Sequence, residues 1–203
     1  MILEVEPPFL VIKPGLSEED FYRLAGEDSD WEYIDGRVVM HSPASNQHEN
    51  LFRFLFILLG YYLDRKGGGA LRGSRYPMRL SPTWSPEPDL LVVREERLDL
   101  LGKNRLEGPA DLVIEIVSDA DSHLVYREKL PRYGEAAIPE IWIVDPFRGE
   151  LLVDHAAGGS RDRRLLKAGR LPSTAVPGFW IEVDWLWREP LPPTPVCLEE
   201  ILA

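Results

Sequence analysis

Four carboxylates occur in segments that are otherwise apolar and rich in β-branched residues. They are Asp89, Glu115, Glu140 and Asp145. The short length and apolar character of these segments predict strands that are buried on both faces of a sheet. Because burying an unpaired carboxylate is costly, each of the four side chains requires a partner.

Asp89 and Glu115 are the pair best placed for chemistry, since they belong to two consecutive predicted core strands. Carboxylates that converge from neighbouring strands suit Mg²⁺ or Mn²⁺, which polarise a phosphoryl oxygen and lower the pKa of a bound water. A lysine would stabilise the developing charge or hold that water. Position 117, on the same strand face as Glu115, is Val117, so the nearest lysine is Lys129 on the following helix. Alternatively, Glu115 pairs with a core arginine and Asp89 caps a turn.

Three further side chains are candidates to complete such a site. His48 and Glu49 lie in the first turn of a predicted helix, which could project toward the same sheet edge. An imidazole or carboxylate there would serve as a third ligand or as a base. The alternative is a capping or helix-terminal electrostatic role. Glu32, on a predicted hairpin, is likewise either a ligand or base of the site or a residue with a structural role.

The other polar residues near these segments are assigned structural roles. Asp145, which precedes a proline, is expected to form a strand-end turn, and Glu140 to lie at the mouth of its strand. His41 has no partner at a motif spacing and is expected to be structural or exposed. The sequence contains neither a serine nucleophile elbow nor a glycine-rich phosphate loop that opens a helix.

The first half of the chain predicts a hairpin and then a long helix. An Asp-Gly pair joins two strand-like runs within residues 31–40, the strongest short signal for a β-hairpin. Ser45 or Asn46 then caps a helix that runs to about Lys66, with apolar residues at helical spacing. An alternating strand is expected over residues 72–80.

The second half predicts a helix over residues 121–136, which Pro131 should kink or split. Hairpin signals follow between residues 151 and 167, and a last strand covers 179–185. This order predicts a mixed α/β sheet with a helix on either side. The expected organisation is one domain over 1–203, with a core over about 31–147, a C-terminal β extension over 148–188 and a proline-rich tail over 189–203.

The composition is that of a globular protein, with 203 residues of which 44% are hydrophobic and 28% charged. The single cysteine, Cys197, excludes an intrachain disulfide framework and a cysteine-cluster zinc site. The longest apolar run has ten residues, fewer than the roughly 20 that a membrane span needs. Glu4 and Glu6 stand where a signal peptide would carry basic residues, so the sequence predicts a cytoplasmic protein without a membrane partner.

The charge balance is acidic, with 34 acidic and 23 basic side chains and a net charge of −11. This balance argues against a protein that coats nucleic acid through charge alone. It leaves open a metal-dependent enzyme whose carboxylates are bridged to nucleic acid by cations. Residues 161–170 carry five basic side chains and one acidic side chain, which form either a solvated hairpin face or a contact for a polyanion.

Seven pieces of the sequence occur in an order typical of a known family. They are 31–45, His48, 87–93, 107–118, Lys129 with Tyr133, 138–146 and 177–179. On these pieces the chain resembles the Uma-two family of proposed restriction endonucleases, over roughly residues 17–187. That family is similar to the PD-(D/E)XK nuclease superfamily.

The resemblance implies a restriction-endonuclease-like mixed β-sheet flanked by helices, with N-terminal and C-terminal β-hairpin additions. It implies Mg²⁺ or Mn²⁺ bound by Asp89, Glu115 and the backbone carbonyl of Ile116. Lys129 matches a catalytic lysine that this family carries on the following helix, and a further position on the first core helix falls at His48 or Glu49. The implied activity is endonucleolytic hydrolysis of nucleic acid, with DNA favoured.

Two departures from the family pattern lie on the helix of the lysine. Members usually carry an acidic residue one turn earlier, where this chain has Val125, and rarely a proline at the position of Pro131. With the acidic composition, these departures favour an alternative, a non-catalytic binding or oligomerisation module that retains the nuclease fold. A third hypothesis is a metal-dependent phosphohydrolase that acts on nucleotides. The prevalence of symmetric oligomers suggests a homodimer.

Overall fold

A six-stranded mixed sheet with a long helix on one face dominates the computed structural model. The structure describes residues 10–25, 29, 31–73, 75–119 and 122–203. The strands are β1 (Leu10–Pro14), β2 (Trp31–Ile34), β3 (Arg37–His41), β4 (Gly69–Gly73), β5 (Met78–Arg79), β6 (Trp84–Ser85), β7 (Leu90–Arg94), β8 (Leu106–Glu107), β9 (Leu112–Ile116), β10 (Glu140–Asp145), β11 (Glu150–Ala157), β12 (Ser160–Leu166), β13 (Arg170–Pro172) and β14 (Trp180–Glu182).

The helical segments are α1 (Glu18–Leu24), α2 (Asn46–Lys66), α3 (Leu130–Glu135) and α4 (Thr194–Leu202), with a π-helical turn at Leu124–Lys129 and 3₁₀ turns at Glu95–Leu100 and Val183–Trp187. No helix of the described residues has both the length and the apolar character that crossing a membrane would require.

The six-stranded sheet has the order β12-β11-β10-β9-β7-β4, and β9 and β10 are its parallel pair. Alternate residues of β9 face opposite sides of the sheet. Leu112 and Ile114 pack into the core that α2 covers, whereas Val113 packs into a second core together with Leu130 and Tyr133 of α3. The predicted mixed sheet with a helix on either side is therefore confirmed.

A second sheet, with the order β1-β3-β2-β6, is antiparallel and contains the predicted hairpin. Asp35 and Gly36 join β2 to β3 with φ of 50° and 75°. Positive φ at both central residues is what a type I′ turn requires, and Asp-Gly adopts it at low cost. The hairpin places one face of β2, including Glu32, against the larger sheet's helix layer.

The long helix α2 begins and ends where the sequence predicts. The Ser45 hydroxyl accepts a hydrogen bond from the His48 amide at 3.2 Å, which caps the first turn. Gly67, with a φ of 77°, ends the helix. The buried side of α2 is lined by leucine and aromatic residues, among them Leu51, Phe54 and Leu58.

The strand predicted over 72–80 is wrong, because this stretch is divided between β4 and β5, which belong to different sheets. β4 begins at Gly69, and a Cβ atom there would lie 2.2 Å from the Val93 carbonyl oxygen on β7. Glycine is therefore required where β4 approaches β7 closely. The glycines after α2 stop the helix and also start the next strand.

The helix predicted over 121–136 is divided, as the proline indicates, although residue 121 lies outside the described residues. Leu124–Lys129 form a π-helical turn, whose last hydrogen bond runs from the Leu130 amide to the Val125 carbonyl. Pro131 lies in the first turn of α3, where the absence of an N–H group on proline costs the helix little hydrogen bonding. The chain thus accommodates the proline by a change of helix type.

The C-terminal region contains more helix than the sequence predicts. The last strand is shorter than expected, since β14 is followed by the 3₁₀ turn Val183–Trp187. Within the tail, the prolines are followed by α4, which was not predicted and buries Cys197, Leu198 and Ile201 against the α2 core.

Glu140 is buried at the first position of β10 and ties the C-terminal extension to the sheet. One carboxylate oxygen accepts hydrogen bonds from the Ser173 hydroxyl at 2.8 Å and the amides of Thr174 and Ala175 at 2.9 and 2.7 Å. The other oxygen accepts from the Trp142 indole N–H at 2.8 Å. With the Thr174 hydroxyl, which also donates at 3.2 Å, five donors satisfy a carboxylate that would otherwise be costly to bury.

The basic residues over 161–170 lie on β12, the edge strand, directly after it at Lys167, and at the start of β13. Arg161 and Arg163 both pair with Asp154, which is fully buried. Arg164 pairs with Asp162, and Lys167 with Glu150. These four basic side chains are thus paired with three carboxylates of the same region, which leaves the face with a small positive excess.

Replacing Glu140 by glutamine is expected to destabilise the protein by about 3 kcal/mol, because an amide N–H₂ would face N–H donors and a charged acceptor would be lost. Urea unfolding followed by tryptophan fluorescence measures this change. The matched control is Glu182→Gln, which removes one ion pair with the exposed Arg170 and should cost less than about 1 kcal/mol. Equal effects of the two substitutions would contradict the anchoring role.

Candidate active site at the sheet edge

Asp89 and Glu115 lie at the same edge of the six-stranded sheet. The antiparallel register of β7 and β9 pairs Leu90 with Ile114, so the next pair along this register is Asp89 and Glu115. One Asp89 carboxylate oxygen accepts a hydrogen bond from the Ile116 amide at 2.6 Å. This bond fixes the Asp89 side chain at the carboxyl end of β9.

Lys129 is the central group of the cluster. Its side chain is 2% exposed, and its Nζ lies 2.6 Å from Glu115 Oε1 and 2.9 Å from Glu32 Oε1. The expectation of an arginine partner for Glu115 is wrong, because this lysine occupies the place. Tyr133, four residues after Lys129, donates its hydroxyl to the same Glu115 oxygen at 2.6 Å, as residues one helical turn apart share a face.

Glu32 approaches Lys129 from the hairpin and is itself almost fully buried. His41 Nε2 lies 3.0 Å from Glu32 Oε1, so His41 has a structural contact that no motif spacing indicated. The register pairs Glu32 with Val39, which places His41, two residues on, on the Glu32 face of the hairpin. That register is the signal by which the sequence could have identified this contact. Among the described residues, the second Glu32 oxygen is buried without a hydrogen-bond partner.

The pKa values of the two glutamates beside the Lys129 ammonium shift in opposite directions. Burial alone would raise the pKa of Glu32, but Lys129 and His41 outweigh it and lower the pKa to about 2. Burial raises the pKa of Glu115 to about 8, and the neighbouring charges of Asp89 and Glu32 act in the same direction, although Lys129 opposes them. Burial would lower the pKa of Lys129, yet the two glutamates raise it. From these directions we expect Lys129 to be charged, Glu32 to be ionised and Glu115 to retain a proton at neutral pH.

The two candidates on α2 lie in different surroundings. His48 Nε2 lies 3.1 Å from Asp89 Oδ1, so the first turn of α2 projects toward the sheet edge. Glu49 is 61% exposed, and its nearest oxygen is 3.8 Å from His48 Nδ1. The structure therefore brings His48, and not Glu49, into contact with the carboxylates of the sheet.

Asp145, at the end of β10, forms the turn that the sequence predicts. One of its oxygens accepts hydrogen bonds from the amides of Phe147 and Arg148 at 3.1 and 3.0 Å. The other oxygen accepts from the Tyr126 hydroxyl at 2.9 Å. Both carboxylate oxygens of Asp145 therefore have hydrogen-bond donors, and we assign this residue a structural role at the end of β10.

The donor set at this edge consists of two carboxylates. The described part of the chain contains no group of three or more His, Cys, Asp or Glu side chains arranged to hold a metal ion. Mg²⁺, however, is commonly held by one or two carboxylates, with water and substrate phosphate filling the other positions. Asp89 and Glu115 fit such an ion, provided that Glu115 loses its proton.

Comparison with known proteins identifies relatives of this fold. The sequence profile of the Uma2 family, described as "Putative restriction endonuclease", matches residues 18–184. A solved structure from Anabaena variabilis, described as a putative nuclease belonging to DUF820, superposes with a TM-score of 0.74 at 14% identity. The alignment covers 85% of this chain and 97% of that one, and it shows a shared fold. None of the curated proteins compared matches the sequence.

Because the pKa of Glu32 is lowered and that of Glu115 is raised, amide substitution of the two glutamates should destabilise the protein to unequal extents. Glu32→Gln removes the ionised partner of a buried ammonium and should cost about 3–5 kcal/mol at neutral pH. In Glu115→Gln the amide replaces a group that is already neutral, so a much smaller loss is expected. Thermal unfolding followed by circular dichroism at pH 7 compares the two variants.

The pH dependence follows from the raised pKa of Glu115, about 8 in the folded protein against an ordinary value of 4.5. The stability that its proton provides is complete below about pH 4.5 and is lost as the pH rises through about 8. The parent should therefore lose stability relative to Glu115→Gln between pH 5 and about pH 8.5. Parallel curves for the two proteins would show that Glu115 is ionised throughout.

Proposed function

The chain belongs to the Uma2 family, and from this premise we propose that it is a divalent-metal-dependent endonuclease that hydrolyses phosphodiester bonds in nucleic acid. The family description, restriction endonuclease, names an activity on DNA, and we take DNA as the substrate. The observation that carries the proposal is the convergence of Asp89, Glu115 and Lys129 at one sheet edge.

Asp89 and Glu115 would hold the cation, together with the backbone carbonyl of Ile116. A divalent cation held there would polarise a phosphoryl oxygen and lower the pKa of a bound water. The Ile116 amide and His48 orient the Asp89 carboxylate from two sides, at 2.6 and 3.1 Å. Glu115 would give up the proton that its raised pKa retains, and the loss of this proton restores a second negative charge to the edge.

Lys129 would act on the reacting phosphate. Its ammonium is charged and lies beside Glu115, where it can stabilise negative charge that develops on the phosphoryl oxygens or hold the attacking water. Glu32 keeps this ammonium in position, and His41 in turn supports Glu32. We assign Glu32 to positioning Lys129, and His48 to orienting Asp89 or accepting a proton. Glu49, which is exposed, is the weaker candidate on α2.

The same contacts favour one alternative, a non-catalytic module that retains the fold for binding or oligomerisation. Lys129 is engaged by both Glu32 and Glu115, and all three side chains are buried, so the cluster is also a self-sufficient buried ion pair. A module of this kind would use the cluster for stability alone. It would bind its partner without metal and independently of Asp89.

Asp89→Asn and Glu115→Gln should each lower Mn²⁺-dependent cleavage of plasmid DNA by about 1,000-fold, since a bound cation supplies several kcal/mol of transition-state stabilisation. Calorimetric titration of Mn²⁺ should show binding to the parent and none to Asp89→Asn. The control is Asp99→Asn, an exposed carboxylate in the 3₁₀ turn Glu95–Leu100. Cleavage by both site variants at the parent's rate would overturn the assignment of the metal site.

Lys129→Met should lower the cleavage rate by at least about 100-fold, because the charge stabilisation is lost. This variant also leaves Glu32 buried with His41 as its remaining partner, so it is expected to unfold more easily. The double variant Lys129→Met with Glu32→Gln removes both charges and should recover most of the stability without the activity. Recovery of cleavage in the stable double variant would show that Lys129 serves folding only.

A further inference from the structure

A polar cavity of about 280 Å³ lies at the same end of the six-stranded sheet as the candidate active site. It lies between the first turns of α2 and the segment that follows the turn Val183–Trp187. Gln47 and Asn50, two of its lining residues, lie in the first turns of α2, on a different side of the helix from His48, which contacts Asp89. Pro146, also in the lining, directly follows Asp145 at the end of β10. Because Val144 of β10 pairs with Ile116 of β9, the cavity lies at the same end of the sheet as Asp89 and Glu115, on the side that α2 covers.

The lining carries side chains that recognise flat, polar rings. Asn46, Gln47 and Asn50 are amides, and each offers donors and an acceptor. Amides and guanidinium groups form paired hydrogen bonds to the edges of nucleobases. Trp187, which also lines the cavity, provides an aromatic ring, the group on which unstacked bases commonly pack.

The charges of the lining suit a phosphate backbone. Arg53 and Arg188 line the cavity, and neither forms an ion pair with any of the described residues. The arginines of β12, by contrast, are paired with carboxylates. Glu189 is the acidic group of the lining, and a carboxylate there can accept a hydrogen bond from a base amino group. Unpaired guanidinium groups in a chain of net charge −11 mark a local site for an anion.

We infer that this cavity binds one nucleobase of the nucleic-acid substrate next to the cleaved bond, with Arg53 and Arg188 contacting the flanking phosphates. This inference rests on the proposed nuclease function. The volume supports a single base, since pockets for larger ligands measure about 300–1,000 Å³. Because the base must leave its stack to enter, the cavity favours single-stranded or locally opened substrate and gives the enzyme a base preference at one position.

The experiment compares three alanine variants of exposed α2 residues, Asn50→Ala, Arg53→Ala and the control Arg65→Ala. Arg65 is likewise exposed and without an ion pair among the described residues, but it lies in the last turn of α2, about 18 Å along the helix axis. Alanine favours helix at all three positions, so the fold should be retained. Circular dichroism checks this.

Binding is measured without divalent metal, by fluorescence anisotropy of short labelled single-stranded DNA oligonucleotides. Arg53→Ala should weaken binding about tenfold for all sequences and lower the salt slope by about 1, as expected for one lost phosphate contact. Arg65→Ala should match the parent. Asn50→Ala should reduce the preference among the four homo-oligonucleotides by about tenfold. Sequencing of the ends produced from randomised DNA with Mn²⁺ should show the same loss of preference.

The outcomes separate this inference from the proposed function. If the parent cleaves DNA, but Asn50→Ala and Arg53→Ala bind and cleave as Arg65→Ala does, the cavity assignment is overturned and the nuclease function stands. If the parent binds DNA without cleaving it, and Arg53→Ala alone loses this binding, the cavity is supported and the catalytic proposal fails. A parent that neither binds nor cleaves nucleic acid overturns both.

Discussion

The buried ammonium of Lys129 is the interaction on which the candidate site and much of the fold depend. It contacts Glu115 in the central sheet and Glu32 in the N-terminal hairpin, two parts of the chain far apart in sequence. A charge removed from water must be compensated in place, so the hairpin has to dock where Glu32 can reach the ammonium. The contact that holds the hairpin against the central sheet is therefore also a contact of the candidate site.

The helix that presents Lys129 shows how this chain accommodates its departures from the family pattern. The π-helical turn ends at Lys129, and Pro131 follows in the first turn of α3, where it costs little. Val125 is buried in the core, so an acidic side chain at that position would have no place here. Glu32, from the hairpin, provides the carboxylate that this helix lacks. The lysine thus keeps an acidic partner through a contact between distant elements.

The sequence predicted the parts of the molecule that local pattern determines. The apolar segments became β7, β9 and β10, and the capping serine and the Asp-Gly pair marked α2 and the hairpin correctly. The apposition of Asp89 and Glu115 followed from consecutive core strands.

What the sequence could not provide depends on contacts between distant segments. The pairing of Lys129 with Glu32 joins elements whose relative position no local signal specifies, and the same is true of the loop held by Glu140. The division of residues 72–80 between β4 and β5 depends on which sheet each half joins. Helix α4 was missed because the prolines before it dominate the pattern of the tail.

The charged strand β12 has a consequence for the behaviour of the protein at high concentration. It is the last strand of its sheet, so its outer backbone groups could pair with a strand of another molecule. The exposed arginines Arg163 and Arg164 would bring like charges together if two copies paired along this strand. Leu165 is the one large exposed apolar side chain of β12, and it alone would bury little apolar surface in such a pairing. The pairs with Asp154 and Asp162 hold these long side chains along the edge. The β12 edge should therefore resist the strand addition that begins aggregation.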